Sequence, residues 1–91
     1  MTSEAPFEAR LESPAKRALA DQLPLAVAVA ANAFIFGPLV TDPFRVGKPL
    51  KEPLKPLWSA RRGEYRVLYL IDASTRRIRV RAIQHRRDAY R

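Results

Sequence analysis

Polar and apolar residues alternate near both ends of this chain and lose that alternation in between. Phe7-Glu8-Ala9-Arg10-Leu11-Glu12 has a period of two. It predicts a half-buried strand with Phe7, Ala9 and Leu11 facing in. Arg77-Ile78-Arg79-Val80-Arg81-Ala82 has the same period. There Ile78, Val80 and Ala82 should face the core, and Arg77, Arg79 and Arg81 should face away. Ser13-Pro14 suits an N-cap followed by the first helical position. A helix is expected from Pro14 to about Gln22, with Ala15, Ala18, Leu19 and Leu23 on one face.

Pro24 disfavours helical geometry at Leu23 and starts a second helix. Leu25, Val29, Ala33 and Phe36 share one stripe, and Val27, Phe34 and Ile35 widen it almost all round. A helix apolar on most sides is covered on most sides. One side is expected to meet the sheet, with Val29 in the core, and another the first helix. Any remainder is a partner surface. Leu23 to Val40 contains no charge. Its unbroken part, Pro24 to Phe36, would be roughly 20 Å long at about 1.5 Å per residue, too short to cross a bilayer. Gly37-Pro38 should kink the helix and Thr41-Asp42-Pro43 should end it. Phe44 to Pro56, punctuated by prolines, reads as an ordered loop.

Leu57 to Arg61 and Tyr65 to Ile71 read as adjoining strands, joined at the turn signal Gly63-Glu64. The second is a near-continuous apolar run with Arg66 set into it. Such a run ordinarily marks a central strand covered on both faces. An arginine there is costly to bury unless it meets an anion or a carboxylate. Tyr65, Val67, Tyr69 and Ile71 should face the helices; Arg66, Leu68 and Leu70 should face away. His85 to Arg91 reads as a short polar tail. The expected order is β-α-α-β-β-β in one domain spanning 1–91. This is an α+β fold of two layers, a mostly antiparallel sheet with a helical hairpin packed on one face. The open face collects Arg66 and the arginines of the last strand.

Charge sharpens this picture. The net charge is +8, and the excess sits mainly after residue 44. A basic half on a globular chain points to a polyanionic partner: nucleic acid, an acidic protein or anionic lipid. There is no cysteine, hence no disulfide and no thiolate metal site. His85 is the single histidine, which argues against zinc. No basic segment precedes an apolar core at the N-terminus, so a signal peptide is not expected.

The stretch Ser59-Ala60-Arg61-Arg62-Gly63, then Tyr65-Arg66-Val67, Tyr69, Ile71-Asp72, is followed by His85-Arg86, Asp88 and Tyr90-Arg91. With Gly47-Lys48-Pro49-Leu50 and Glu52-Pro53-Leu54 upstream, this order and spacing resembles the RelE family of bacterial toxins. These are the RNA-cleaving members of toxin–antitoxin pairs. The resemblance spans roughly residues 45 to 91. It implies the same two-layer fold and a metal-independent endoribonuclease without a cofactor, acting in the cytoplasm on mRNA in the ribosomal A site. It also implies neutralisation by a cognate acidic, RelB-like antitoxin, with no membrane involved.

Guanidinium groups bind phosphate bidentately and keep their charge. Fixed cations aimed at the charge that develops on phosphorus lower the barrier to RNA cleavage. By the resemblance, Arg61, Arg66 and Arg86 hold the phosphate. His85, whose type titrates near neutrality, stands where an acid or base is needed. Tyr90 matches a tyrosine that stacks on a base or moves a proton. Glu52 matches a loop carboxylate that acts as general base in one branch of the family. Lys48, Lys51, Lys55, Arg62 and Arg81 complete the expected RNA-binding set. For each arginine the alternative is a solvated basic face, for His85 a plain surface residue, for Glu52 a pairing with Lys51 or Lys55, and for Tyr90 packing of the tail. Some relatives carry a lysine pair before the glycine turn, where this chain has Leu57 and Ser59. Two rival functions remain on the same scaffold: a ParE-like poison of DNA gyrase, and a binding module with a degenerate site.

Overall fold

The computed structural model describes residues 5–86. It contains β1 (Glu8–Leu11), α1 (Ser13–Arg17), α2 (Leu25–Phe34), β2 (Lys48–Pro49), β3 (Trp58–Arg62), β4 (Tyr65–Asp72) and β5 (Arg77–His85). The strands form one mixed sheet in the order β1-β5-β4-β3-β2. Only β1 runs parallel to its neighbour, pairing Ala9 with Ile78 and Leu11 with Val80. The expected α+β order is present with one added strand. β2 lies in the proline-punctuated loop, where Lys48 pairs with Ser59 and Pro49 with Trp58. A two-residue edge strand ending in proline carries no period that a sequence can show.

Both helices extend through π-helical turns, Ala18–Gln22 after α1 and Ile35–Leu39 after α2. Pro38 lies inside the second turn. Its missing N–H is absorbed by the wider turn, which is how the irregularity expected at Gly37-Pro38 takes shape. Glu12, not Ser13, occupies the N-cap of α1, and no side chain caps it.

The helices cover one face of the sheet. Phe7, Phe34, Ile35, Leu39, Val67, Tyr69, Ile78 and Val80 belong to a single buried cluster. Leu19 packs against it half-buried. Val29 does not join it: it is 61% exposed, with Leu25 at 81% and Phe36 at 50%. The small residues Ala28 and Ala31 occupy the buried side of α2 instead. The stripe expected to face the core thus faces solvent, because close approach to the sheet favours alanine over valine. No helix among the described residues is long and apolar enough to cross a membrane.

The facing of β4 follows the alternation: Tyr65, Val67 and Tyr69 are buried and Arg66 is exposed. Arg66 therefore avoids the cost of burial, since the sheet is helix-covered on one side only among the described residues. Between β4 and β5 the register shifts at Leu68 and Tyr69 of β4. Tyr69 pairs with Val80 and Leu68 with Ala82, leaving Arg81 as an extra residue. This β-bulge reverses the alternation beyond it. Ala82, expected in the core, pairs with open-face Leu68, while Ile83 and His85 are buried. His85 is the last residue of β5, not the start of a tail.

Candidate functional site

The β3–β4 hairpin carries the arginines. Gly63, at φ +53°, takes a turn position that favours glycine and closes the pair tightly. Arg61 then stands directly opposite Arg66 on the open face, and both are exposed. Like charges directly opposite each other destabilise a strand pair. An anion held between two guanidiniums removes that penalty and gains bidentate bonds.

Arg61 and Arg66 also meet Glu64, Gln84, His85 and Arg86 around a small cavity of about 60 Å³ at the hairpin end. His85 reaches it from the helix side, paired with Tyr65. Its Nε2 is buried and has no hydrogen-bond partner among the described residues. Glu64 Oε1 lies 3.4 Å away, an ion pair only if the imidazole is protonated. A buried ring nitrogen without a hydrogen bond is uncommon. The backbone N–H of Arg86 donates to the Glu64 carbonyl, fastening the end of β5 to the turn.

The other arginines of β5 are already occupied. Glu12 Oε2 accepts from Arg79 at 2.8–2.9 Å and Glu12 Oε1 accepts from Arg81 at 2.6 Å. The bond from Arg81, joined by those of Arg79, holds the Glu12 carboxyl below its ordinary range. Arg77 lies 3.6 Å from Glu8. The open face thus divides. Toward β1 each arginine of β5 has a carboxylate. Toward β2, Arg61 and Arg66 have none within ion-pair distance among the described residues.

Arg62 lies on the opposite face from Arg61, with its guanidinium 4.7 Å from the centre of the Phe34 ring. It borders a groove of about 790 Å³ with Pro24, Val27, Ala30, Tyr65 and His85. The Tyr65 hydroxyl donates to the Ala30 carbonyl there at 3.3 Å, and burial raises its pKa. Lys48, on β2, borders a cleft of about 440 Å³ together with Arg61 and Arg66. Lys55 borders a separate pocket beside Trp58. Lys51 and Glu52 are exposed on the loop beyond β2 and border neither the cleft nor the small cavity. Tyr90 lies outside the described residues. Arg45 and Glu64 line these cavities and carried no distinguishing signal in the sequence beyond their nearness to Gly47 and Gly63.

A family model described as the ParE toxin of the type II toxin–antitoxin system parDE matches residues 11–90. The toxin RelE of Mycobacterium tuberculosis is 42% identical over 91 residues, covering 100% of this chain and 93% of that toxin. The toxin RelG of the same organism is 42% identical over 86 residues, covering 94% of this chain and 98% of its own. Among solved structures, the M. tuberculosis toxin–antitoxin complex RelBE2 contains a chain 40% identical to this one, with a TM-score of 0.86 over 90% of this chain and 100% of that one. The RelE–RelB complex of Pyrococcus horikoshii OT3 contains another, at a TM-score of 0.56 and 21% identity, covering 90% of this chain and 97% of that one, which speaks for the fold alone.

Proposed function

The chain belongs to the ParE toxin family of type II toxin–antitoxin systems, within the RelE/ParE superfamily, and on that premise we propose that it is an endoribonuclease that cuts mRNA on the ribosome. The observation that carries this reading is the facing pair Arg61–Arg66, with no carboxylate within ion-pair distance among the described residues, beside Arg86 and the buried Nε2 of His85, which has no hydrogen-bond partner among them. In the proposed reaction the RNA's own 2′-oxygen attacks the adjacent phosphorus and loses its proton to a base. The bond from phosphorus to the 5′-oxygen breaks, and an acid protonates that oxygen. The products are a 2′,3′-cyclic phosphate and a 5′-hydroxyl. Arg61, Arg66 and Arg86 hold the phosphate and neutralise its growing charge. His85 is assigned one proton transfer, with Glu52 and Tyr90 as the candidates for the other. No metal ion takes part in this scheme.

The proposed partner is an acidic RelB-like antitoxin in the cytoplasm. The solved relatives are toxin–antitoxin complexes, and the uncovered stripe of α2 offers a surface for a segment that folds as it binds.

A second reading, a ParE-like poison of DNA gyrase, draws on the description of the matching family model. Primer extension on mRNA after induction separates the two. In-frame cuts support the ribonuclease; DNA damage without cuts supports gyrase. Single-turnover cleavage of programmed ribosomes with end-group analysis then tests the chemistry. A 5′-phosphate end would overturn it.

A further inference from the structure

We propose that Arg45 and Lys48 form a second phosphate subsite beside the Arg61–Arg66 pair, so that the cleft holds two successive phosphates of one single strand. The inference rests on the reading that the open face binds RNA, and it names a residue and a register which that reading does not contain. Arg45, Lys48, Arg61 and Arg66 border one cleft of about 440 Å³. Among the described residues, none of the four has a carboxylate within ion-pair distance. Arg79 and Arg81, in contrast, share Glu12.

The loop bearing Arg45 is fixed to the same strand that bears Arg61. The N–H groups of Arg45 and Val46 donate to the Asp42 carbonyl at 3.1 and 3.2 Å. Lys48 pairs with Ser59. Gly47 packs so closely that a Cβ there would lie 2.8 Å from the Ser59 carbonyl oxygen. Ser59 is two positions before Arg61, which places Lys48 roughly 7 Å along the strand from the facing pair. That offset suits neighbouring phosphates of an extended strand, not two oxygens of one phosphate. The mixture also suits phosphate better than an acidic peptide: three bidentate forks and one compact ammonium line a single cleft.

The test uses the full-length toxin and a non-cleavable 2′-O-methyl RNA tetranucleotide, with inorganic phosphate as the single-site probe. Affinity is measured against salt concentration. Each phosphate contact on a single strand contributes about −0.7 to the slope of log affinity against log salt. Arg45→Ala should make the slope shallower by about 0.7, and Arg45→Lys should restore it. Inorganic phosphate should bind the wild type and Arg45→Ala alike. On ribosomes, Arg45→Ala should raise KM, whereas Arg61→Ala should lower the saturated cleavage rate. Arg45 is exposed and its side chain makes no hydrogen bond among the described residues, so an unchanged melting curve is expected.

An unchanged slope and KM in Arg45→Ala, with cleavage intact, overturns the subsite and leaves the ribonuclease reading standing. A loss of saturated rate equal to that of Arg61→Ala also overturns it, since Arg45 would then act on the reacting phosphate. The predicted slopes without any cleavage of ribosomal mRNA support the subsite while the ribonuclease reading fails. Weakened antitoxin binding with an unchanged RNA slope assigns Arg45 to the protein partner and overturns the proposal.

Discussion

The hydroxyl of Tyr69, buried on β4, donates a 2.8 Å hydrogen bond to the carbonyl of Pro43. This one bond ties the loop that carries Arg45 and Lys48 to the central strand. Tyr69→Phe leaves the Pro43 carbonyl without its partner, and an unsatisfied buried acceptor costs about 1–3 kcal/mol. Urea unfolding should show that loss. Burial also pushes the Tyr69 pKa up to about 12. Unfolded tyrosine titrates near 10. The folded state therefore keeps a proton that the unfolded state gives up. Stability from this group is full below about pH 10 and falls as pH rises toward 12. Wild type should lose more stability than Tyr69→Phe over that window.

Gly47 depends on the same contact. A Cβ at that position would clash with Tyr69 Oη and lie 2.8 Å from the Ser59 carbonyl oxygen. Gly47→Ala should destabilise by about 1–3 kcal/mol, the range of an overpacked site. In a Tyr69→Phe background the penalty should shrink but not vanish, because the Ser59 backbone still blocks the methyl group. A double-mutant cycle measures that coupling.

Arg61→Ala and Arg66→Ala should each cost about 2–4 kcal/mol of barrier, the scale of one preorganised donor. That is tens- to several-hundred-fold in single-turnover cleavage. Melting should stay level or rise slightly, since removing either arginine relieves the like-charge opposition across the hairpin. Full cleavage in the double mutant would overturn the assignment. Arg77→Ala should cost less than Arg66→Ala, because Arg77 lies 3.6 Å from Glu8.

Glu12 predicts an acid-side effect. Its carboxyl titrates below its ordinary range, through the bond from Arg81 first and that from Arg79 after it. A depressed folded pKa gives stability that is present above the unfolded value of about 4.3 and disappears as pH falls through the folded value. Glu12→Gln should therefore flatten the stability profile below about pH 5, read as urea midpoints across pH, and leave RNA cleavage unchanged.

The strands were legible wherever one face is buried and the other wet. Val67, Tyr69, Ile78 and Val80 followed their alternation into the core. Two physical effects hid the rest. In α2, alanine and valine are both apolar, and only the spacing to the sheet decides that Ala28 and Ala31 turn inward and Val29 outward. In β5, no residue type announces an extra position, so Ala82 and His85 were misplaced from the bulge onward, while Arg81 faces away as expected. The arginines were visible as a group, but their division by Glu8 and Glu12 depends on parallel pairing between the first and last strands. Contacts between positions so far apart in sequence leave no local pattern.

The outward stripe of α2 yields a separate prediction. Val29 is 61% exposed, so Val29→Asp should leave folding within about 0.5 kcal/mol of wild type. Covered by an antitoxin, the same aspartate would be buried without a partner, which is costly. Affinity for the antitoxin should drop by about tenfold or more in calorimetric titration. An unchanged affinity would assign the stripe to another surface role.

The bulge between Leu68 and Tyr69 puts the two parts of β5 out of phase. Before it, odd steps carry Arg77 and Arg79 to the wet side; after it, odd steps carry Ile83 and His85 beneath the helices. Excising Arg81 would give a regular ladder and leave Ile83 and His85 facing inward as they do now. Pairing Arg81 into the ladder instead would turn Gln84 inward and bring His85 out on the same side as Arg66. Whether Arg81 is bulged or paired thus governs which side of the sheet holds the imidazole, with every residue unchanged. The irregularity works as a mechanical offset, by which one uninterrupted strand serves two surfaces of unlike chemistry.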